Sequence, residues 1–283
     1  MHDDSSAIHF GCTNCGKCCS FKPTESLGIA LEEMLRLSDQ MLFESHLITY
    51  PVAREELIRQ LSSPGKGPAS LRALEAIIAE EWEAVPFSGA LMSMKLEITM
   101  VPRPDGNCWA LADKRCALYA ERPLRCRTFP LPVDIPPALM SRSGLPVGNS
   151  LECDFSANAP VIAESGAVQG EWAEAFQALP GMRRTMKKLL RFMLKDEELR
   201  APIILPAVAN AWHGDTSVRF DLHPVLLAAL QLGQVSDHQV IRVLVGQHGM
   251  IRRWIGAAAA EHRAYAERLI RYANNYQAML SGS

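Results

Sequence analysis

Eight cysteines carry the chemistry of this 283-residue sequence, and they fall in two blocks. Cys12, Cys15, Cys18 and Cys19 stand near the start; Cys108, Cys116, Cys126 and Cys153 form the second block, and no cysteine follows. Thiolate sulfur is soft and anionic, so gathered cysteines suit zinc or iron–sulfur clusters. The first block reads Cys12-x-x-Cys15-x-x-Cys18-Cys19, with Gly11 and Gly16 allowing tight turns whose free amides can donate to cluster sulfurs. Adjacent Cys18 and Cys19 are awkward partners for one mononuclear ion, because neighbouring side chains point apart. One of them serves a second site, bridges two metals, or packs as a plain buried thiol.

The second block has seven, nine and twenty-six residues between its cysteines, which is not a zinc-knuckle spacing. Between Cys108 and Pro130 stand Lys114, Arg115, Arg122, Arg125 and Arg127, against only Asp113 and Glu121. Such cations would offset the negative charge of a thiolate-bound centre, or simply solvate a surface. Pro123, Pro130 and Pro132 stiffen the backbone around Cys126. Ferredoxin-type clusters take Cys-x-x-Cys-x-x-Cys plus a remote cysteine near proline, which fits Cys12, Cys15 and Cys18 with a partner from the second block. Zinc prefers two separate Cys-x-x-Cys knuckles, and only the first block has that spacing. All eight cysteines are therefore expected metal ligands, with an iron–sulfur cluster, most simply 4Fe-4S, favoured and zinc the alternative.

The elements that must position these sulfurs read mostly as helix. Leu31, Met34, Leu35, Leu37, Met41 and Leu42 recur near a 3.6 period, in an element that Pro51 ends or interrupts. Ser62–Pro68 is a loop by composition, and Leu71 to Val85 resumes as helix. Met92, Met94, Leu96, Ile98 and Met100 alternate with Ser93, Lys95, Glu97 and Thr99, a strand. A turn over Pro102–Asn107 follows, and Cys108–Leu111 is expected to return as the hairpin partner. Residues 130–160 are rich in proline and glycine and are expected to be irregular. Trp172 to Leu194 reads as a helix whose basic face (Arg183, Arg184, Lys187, Lys188, Arg191) is expected to be solvated or a docking surface. Val218 to Leu222 suits a short strand; His223–Gly233, Asp237–Gly246 and Gly249–Leu280 suit helices, the middle one capped by Ser236 or Asp237. The expected fold is mainly α with a small β-hairpin: an irregular cysteine-rich metal-binding domain over 1–155 and a helical C-terminal domain over 156–283.

Composition narrows the function. With 48% hydrophobic residues and a formal net charge of −2, nothing points to nucleic acid or an anionic membrane. The start, Met1 to Ser6, is acidic and polar, unlike a secretory signal, and no apolar run suits a membrane span. The expected location is the cytoplasm, where clustered cysteines mean metal or redox chemistry rather than disulfides. No dinucleotide-binding glycine motif, phosphate loop or His-Glu-x-x-His is present. His213, His223, His238, His248 and His262 are scattered and read as ordinary surface or core residues.

Together Cys12-Thr-Asn-Cys15-Gly-Lys-Cys18-Cys19, Cys108-Trp-Ala-Leu111 and the run from Cys116 through Tyr119, Arg122-Pro123 and Cys126-Arg127 to Phe129-Pro130 resemble the YkgJ-type cysteine-cluster family, a zinc- or iron-chelating domain. The family's last cysteine is usually followed by Pro-Gly, whereas Cys153 is followed by Asp154-Phe155. The resemblance implies metal binding over roughly residues 10–155. A related branch, the flagellin lysine N-methylases, implies more weakly an S-adenosylmethionine-dependent iron–sulfur enzyme. Tyr119, Arg122 and Arg127 are candidates to orient a substrate beside the cluster, or else serve packing and ligand support. The expected role is a metal-binding protein working in electron transfer or metal handling with a protein partner; a methylase-like enzyme and a structural zinc protein are the alternatives. Metal binding is expected to close long loops and contribute to folding.

Overall fold

The computed structural model of the chain describes residues 7–13, 15–20, 27–61, 68–103, 105–133, 137, 140, 153–259 and 263–282. In chain order they form β1 (Ala7–His9), β2 (Leu27–Ile29), α1 (Leu31–Leu37), β3 (Phe43–Tyr50), α2 (Arg54–Leu61), α3 (Pro68–Glu81), β4 (Glu83–Phe87) and β5 (Ala90–Met100). Then come β6 (Leu111–Ala112), β7 (Arg115–Cys116), α4 (Leu124–Thr128), β8 (Val161–Glu164), β9 (Ala167–Val168) and α5 (Gly170–Lys195). The chain continues through α6 (Glu197–Leu199), α7 (Leu205–Trp212), β10 (Ser217–Phe220), α8 (His223–Gln231), α9 (Asp237–Ala259) and α10 (Arg263–Gly282).

The alternating segment is a strand, β5, and it organises the largest sheet. β3 pairs antiparallel along one edge; β4 and β2 share the other, at residues 90–94 and 98–100; β10 extends the sheet beyond β3. Both edges of β5 are thus taken, and Cys108–Leu111 does not return on it. Leu111–Ala112 pairs instead with Arg115–Cys116, a two-stranded ribbon. With a five-, a three- and a two-stranded sheet, the fold is a mixture of α and β, not mainly α with a small hairpin. The helix expected from Leu31 stops at Leu37, and Phe43–Tyr50 is a strand rich in aromatic and β-branched residues. Helix likewise yields to strand at Glu83–Phe87, whereas Gly249 interrupts nothing inside α9.

The apolar face of the sheet packs on α5, α8 and α9 in one core that includes Phe43, Leu47, Met94, Leu96, Ile98, Leu189, Leu190, Leu226 and Val243. Its polar face is buried too. Glu44 is fully covered and paired with Arg219 at 2.6 Å, Arg268 at 3.3 Å and the Tyr272 hydroxyl at 3.2 Å. Lys95 bridges Glu81 at 2.8 Å and Glu97 at 2.9 Å. Four of the five cations on the basic face of α5 pair within the fold: Arg183 meets Glu81 at 2.7 Å, Arg184 meets Glu80 at 3.2 Å, and Lys187 and Arg191 meet Glu83 at 3.3 and 2.9 Å, while Arg184, Lys188 and Arg191 stay exposed. Ser236 caps α9 reciprocally with Gln239, as expected.

Strands from beyond residue 155 complete sheets begun before it: β8 pairs with β1, and β10 with β3. No helix among the described residues is long and apolar enough to cross a membrane. The loop expected over Ser62–Pro68, up to residue 67, and most of the irregular stretch between 134 and 152 lie outside the described residues.

Candidate metal centre

Two backbone bridges hold the first cysteine block. Gly11 exchanges hydrogen bonds with Asp154, N to O at 2.7 and 2.9 Å, which brings the start of the motif beside Cys153. At the other end Ser20 bridges Asn107, with Ser20 Oγ donating to Asn107 Oδ1 at 2.8 Å. Between them Gly16 adopts a positive φ of 72° and starts a single 3₁₀ turn, Lys17–Cys19. A Cβ at Gly16 would stand 2.8 Å from the Lys114 carbonyl oxygen and 3.0 Å from Leu111 Cδ1, so only glycine lets this turn lie against the second block. The Cys19 carbonyl accepts from Cys108 N at 2.7 Å, a direct link between the blocks.

The second block is presented by two small elements. Asp113 and Lys114, at φ 48° and 64°, make the tight turn of the β6–β7 ribbon, which sets Cys116 opposite Leu111. Pro123 precedes the short helix α4, which carries Cys126; Cys126 N donates to Pro123 O at 2.8 Å. The Phe129–Pro130 peptide that closes this run is cis.

Cys12, Cys18, Cys19, Cys108, Cys116 and Cys126 line one cavity of about 100 Å³, together with Leu27, Met41, Ala110, Pro123 and Phe129. Cys15 and Cys153 do not line it; they meet beside it, where burial and then Cys15 push the Cys153 thiol up to about 11. All eight cysteines are free thiols. Among the described residues no three Cys, His, Asp or Glu side chains are grouped tightly enough to hold an ion as they stand, so the thiols surround a space rather than enclose a point.

Three of the five expected cations, Lys114, Arg122 and Arg125, line the cavity. Arg122 stacks on the Tyr119 ring at 4.2 Å and reaches Glu171 at 3.3 Å, while Arg127 faces Glu174 at 3.7 Å. A hydrogen bond from Cys19, helped by the Arg122 charge, lowers the Cys18 thiol to about 7. The same bond, with burial, pushes the Cys19 thiol up, and burial raises Cys108 and Cys126. The bond therefore favours the thiolate at Cys18 and the protonated thiol at Cys19.

His213, His223, His238 and His248 stand away from the cavity wall, and His262 lies outside the described residues. Sequence spacing placed Met41 in a helical apolar period but marked neither it nor Leu27 as apolar wall of the cavity, and did not mark Glu33. That carboxylate accepts from Ala30 N at 3.0 Å and from Leu124 N at 2.5 Å, tying α1 to the helix of Cys126. Nothing in the spacing announces a contact across ninety-one residues.

Compared with known families, residues 11–137 match the CxxCxxCC model, described as "Putative zinc- or iron-chelating domain". No curated protein and no solved structure matches the chain.

Proposed function

We propose, from the match of residues 11–137 to a zinc- or iron-chelating cysteine domain, that the chain is an iron–sulfur protein serving electron transfer or metal handling with a protein partner. The observation that carries this reading is the set of six cysteines, drawn from blocks about ninety residues apart in sequence, around one cavity. A tetrahedral zinc ion and an iron–sulfur cluster each take four thiolates, so the reading rests on the space the sulfurs surround, a cavity rather than a point. The soft donors and the cationic wall of Lys114, Arg122 and Arg125 suit an anionic thiolate-bound cluster.

Cys18, Cys108, Cys116 and Cys126 are the residues we assign to hold the cluster, with Cys12 and Cys19 at the same wall and Cys15 and Cys153 beside it. When bound, such a cluster supplies one-electron redox chemistry. The protein's part is to keep the sulfurs together, to offset their charge through Arg122 and Arg125, and to limit water through Leu27, Met41 and Phe129.

Anaerobic purification followed by iron, acid-labile sulfide and zinc analysis tests the reading. The expected result is a brown protein with iron and sulfide in equal amounts. A colourless protein loaded with zinc would overturn it in favour of a structural zinc centre. A change in the visible spectrum on adding S-adenosylmethionine would instead move the chain to the methylase-like class.

A further inference from the structure

The helix α1 lies in the stretch that separates the two cysteine blocks, and two of its side chains reach the second block. Glu33 Oε1 accepts from Leu124 N at 2.5 Å while its Oε2 accepts from Ala30 N at 3.0 Å. Arg36, on the same face three residues on, donates through Nη1 to Glu121 Oε2 and through Nη2 to the Glu121 carbonyl, both at 2.8 Å. The two contacts bracket Arg122 and Pro123, and the Glu33 contact stands two residues before Cys126. Leu124 N belongs to the first turn of α4, where amides have no partner within their own helix.

We propose that Glu33 is a positioning residue for the metal centre: its carboxylate anchors the start of α4 and so aims Cys126 at the cavity. The proposal rests on the reading of Cys126 as a ligand. A charged acceptor fixes the amide more firmly than a neutral one. Arg36, whose side chain is 41% exposed, holds the neighbouring turn more weakly.

Two measurements on the purified, metal-loaded protein test this. One is timed release of bound metal to EDTA; the other is timed thiol alkylation mapped residue by residue by mass spectrometry. Glu33→Ala is expected to speed metal release about tenfold, the scale of one hydrogen bond to a charged group, and Arg36→Ala only slightly. Alkylation in the Glu33 variant is expected to rise first and most at Cys126, ahead of Cys108 and Cys116. Equal gains at all three cysteines would mean general loosening of the fold and would overturn the proposal, as would an unchanged release rate. Cys126→Ser separates the two readings. If that variant keeps full metal occupancy, the assignment of Cys126 as a ligand fails, while the alkylation pattern still reports whether Glu33 holds α4.

Discussion

Cys18 and Cys19 are neighbours in sequence with opposite acid–base character, because one sulfur donates a hydrogen bond to the other. The Cys18 thiol ionises near 7, well below the ordinary cysteine range, so with metal removed its thiolate grows as pH rises through 7. Removing the donor in Cys19→Ala should move the pH midpoint of Cys18 alkylation up by about one unit or more, toward the ordinary thiol value. An unmoved midpoint would mean that Arg122 and the local backbone, rather than Cys19, set the acidity. Cys108 and Cys126 are raised by burial, so loading them with a cation must release protons. The cysteine types and the cations beside them were legible in the sequence, since each is its own chemical signal. The split between a cavity set and the Cys15–Cys153 pair was not, because it depends on the Gly11–Asp154 bridge, which no local spacing encodes.

At the scale of elements, polar patterning concealed how thoroughly charge is buried. Arg183 on α5 is 8% exposed and Glu81 at the end of α3 is 5% exposed, 2.7 Å apart, with Lys95 of β5 on the same carboxylate. Taking away one member leaves the others uncompensated inside the fold. Arg183→Met should therefore destabilise the chain by about 3 kcal/mol in urea unfolding, even though methionine packs well there. A loss below about 0.5 kcal/mol would show the pair to be no more than a surface contact. Patterning also explains which elements the sequence hid. β5 announced itself by strict alternation, and α5 and α8 by their length or caps. β3 did not, because Phe43-Glu44-Ser45-His46-Leu47-Ile48-Thr49-Tyr50 does not alternate apolar with polar residues, which lets it pass as a continuation of α1.

For the whole molecule, the core and the cavity meet along a shared wall. The main core joins α5, α8, α9 and the five-stranded sheet, while the cavity sits among loops, the β6–β7 ribbon and α4, with Met41, Cys108 and Ala110 common to both. Helical content in the second half of the chain was readable from periodicity. That β8 and β10 reach back to pair with β1 and β3 was not, since strand partners distant in sequence leave no mark on either segment alone. Exhaustive chelation is expected to leave the far-ultraviolet circular dichroism of the protein nearly unchanged and to lower its melting temperature by only a few degrees. Collapse of the spectrum would place the metal among the forces that make the fold. The hydrogen bonds that join Gly11 to Asp154, Ser20 to Asn107 and Cys108 to Cys19 run through main chain rather than through sulfur. Should the chelated protein keep its spectrum, synthesis and metallation are separate events: the polypeptide could be finished as a receptive apoprotein and furnished afterwards.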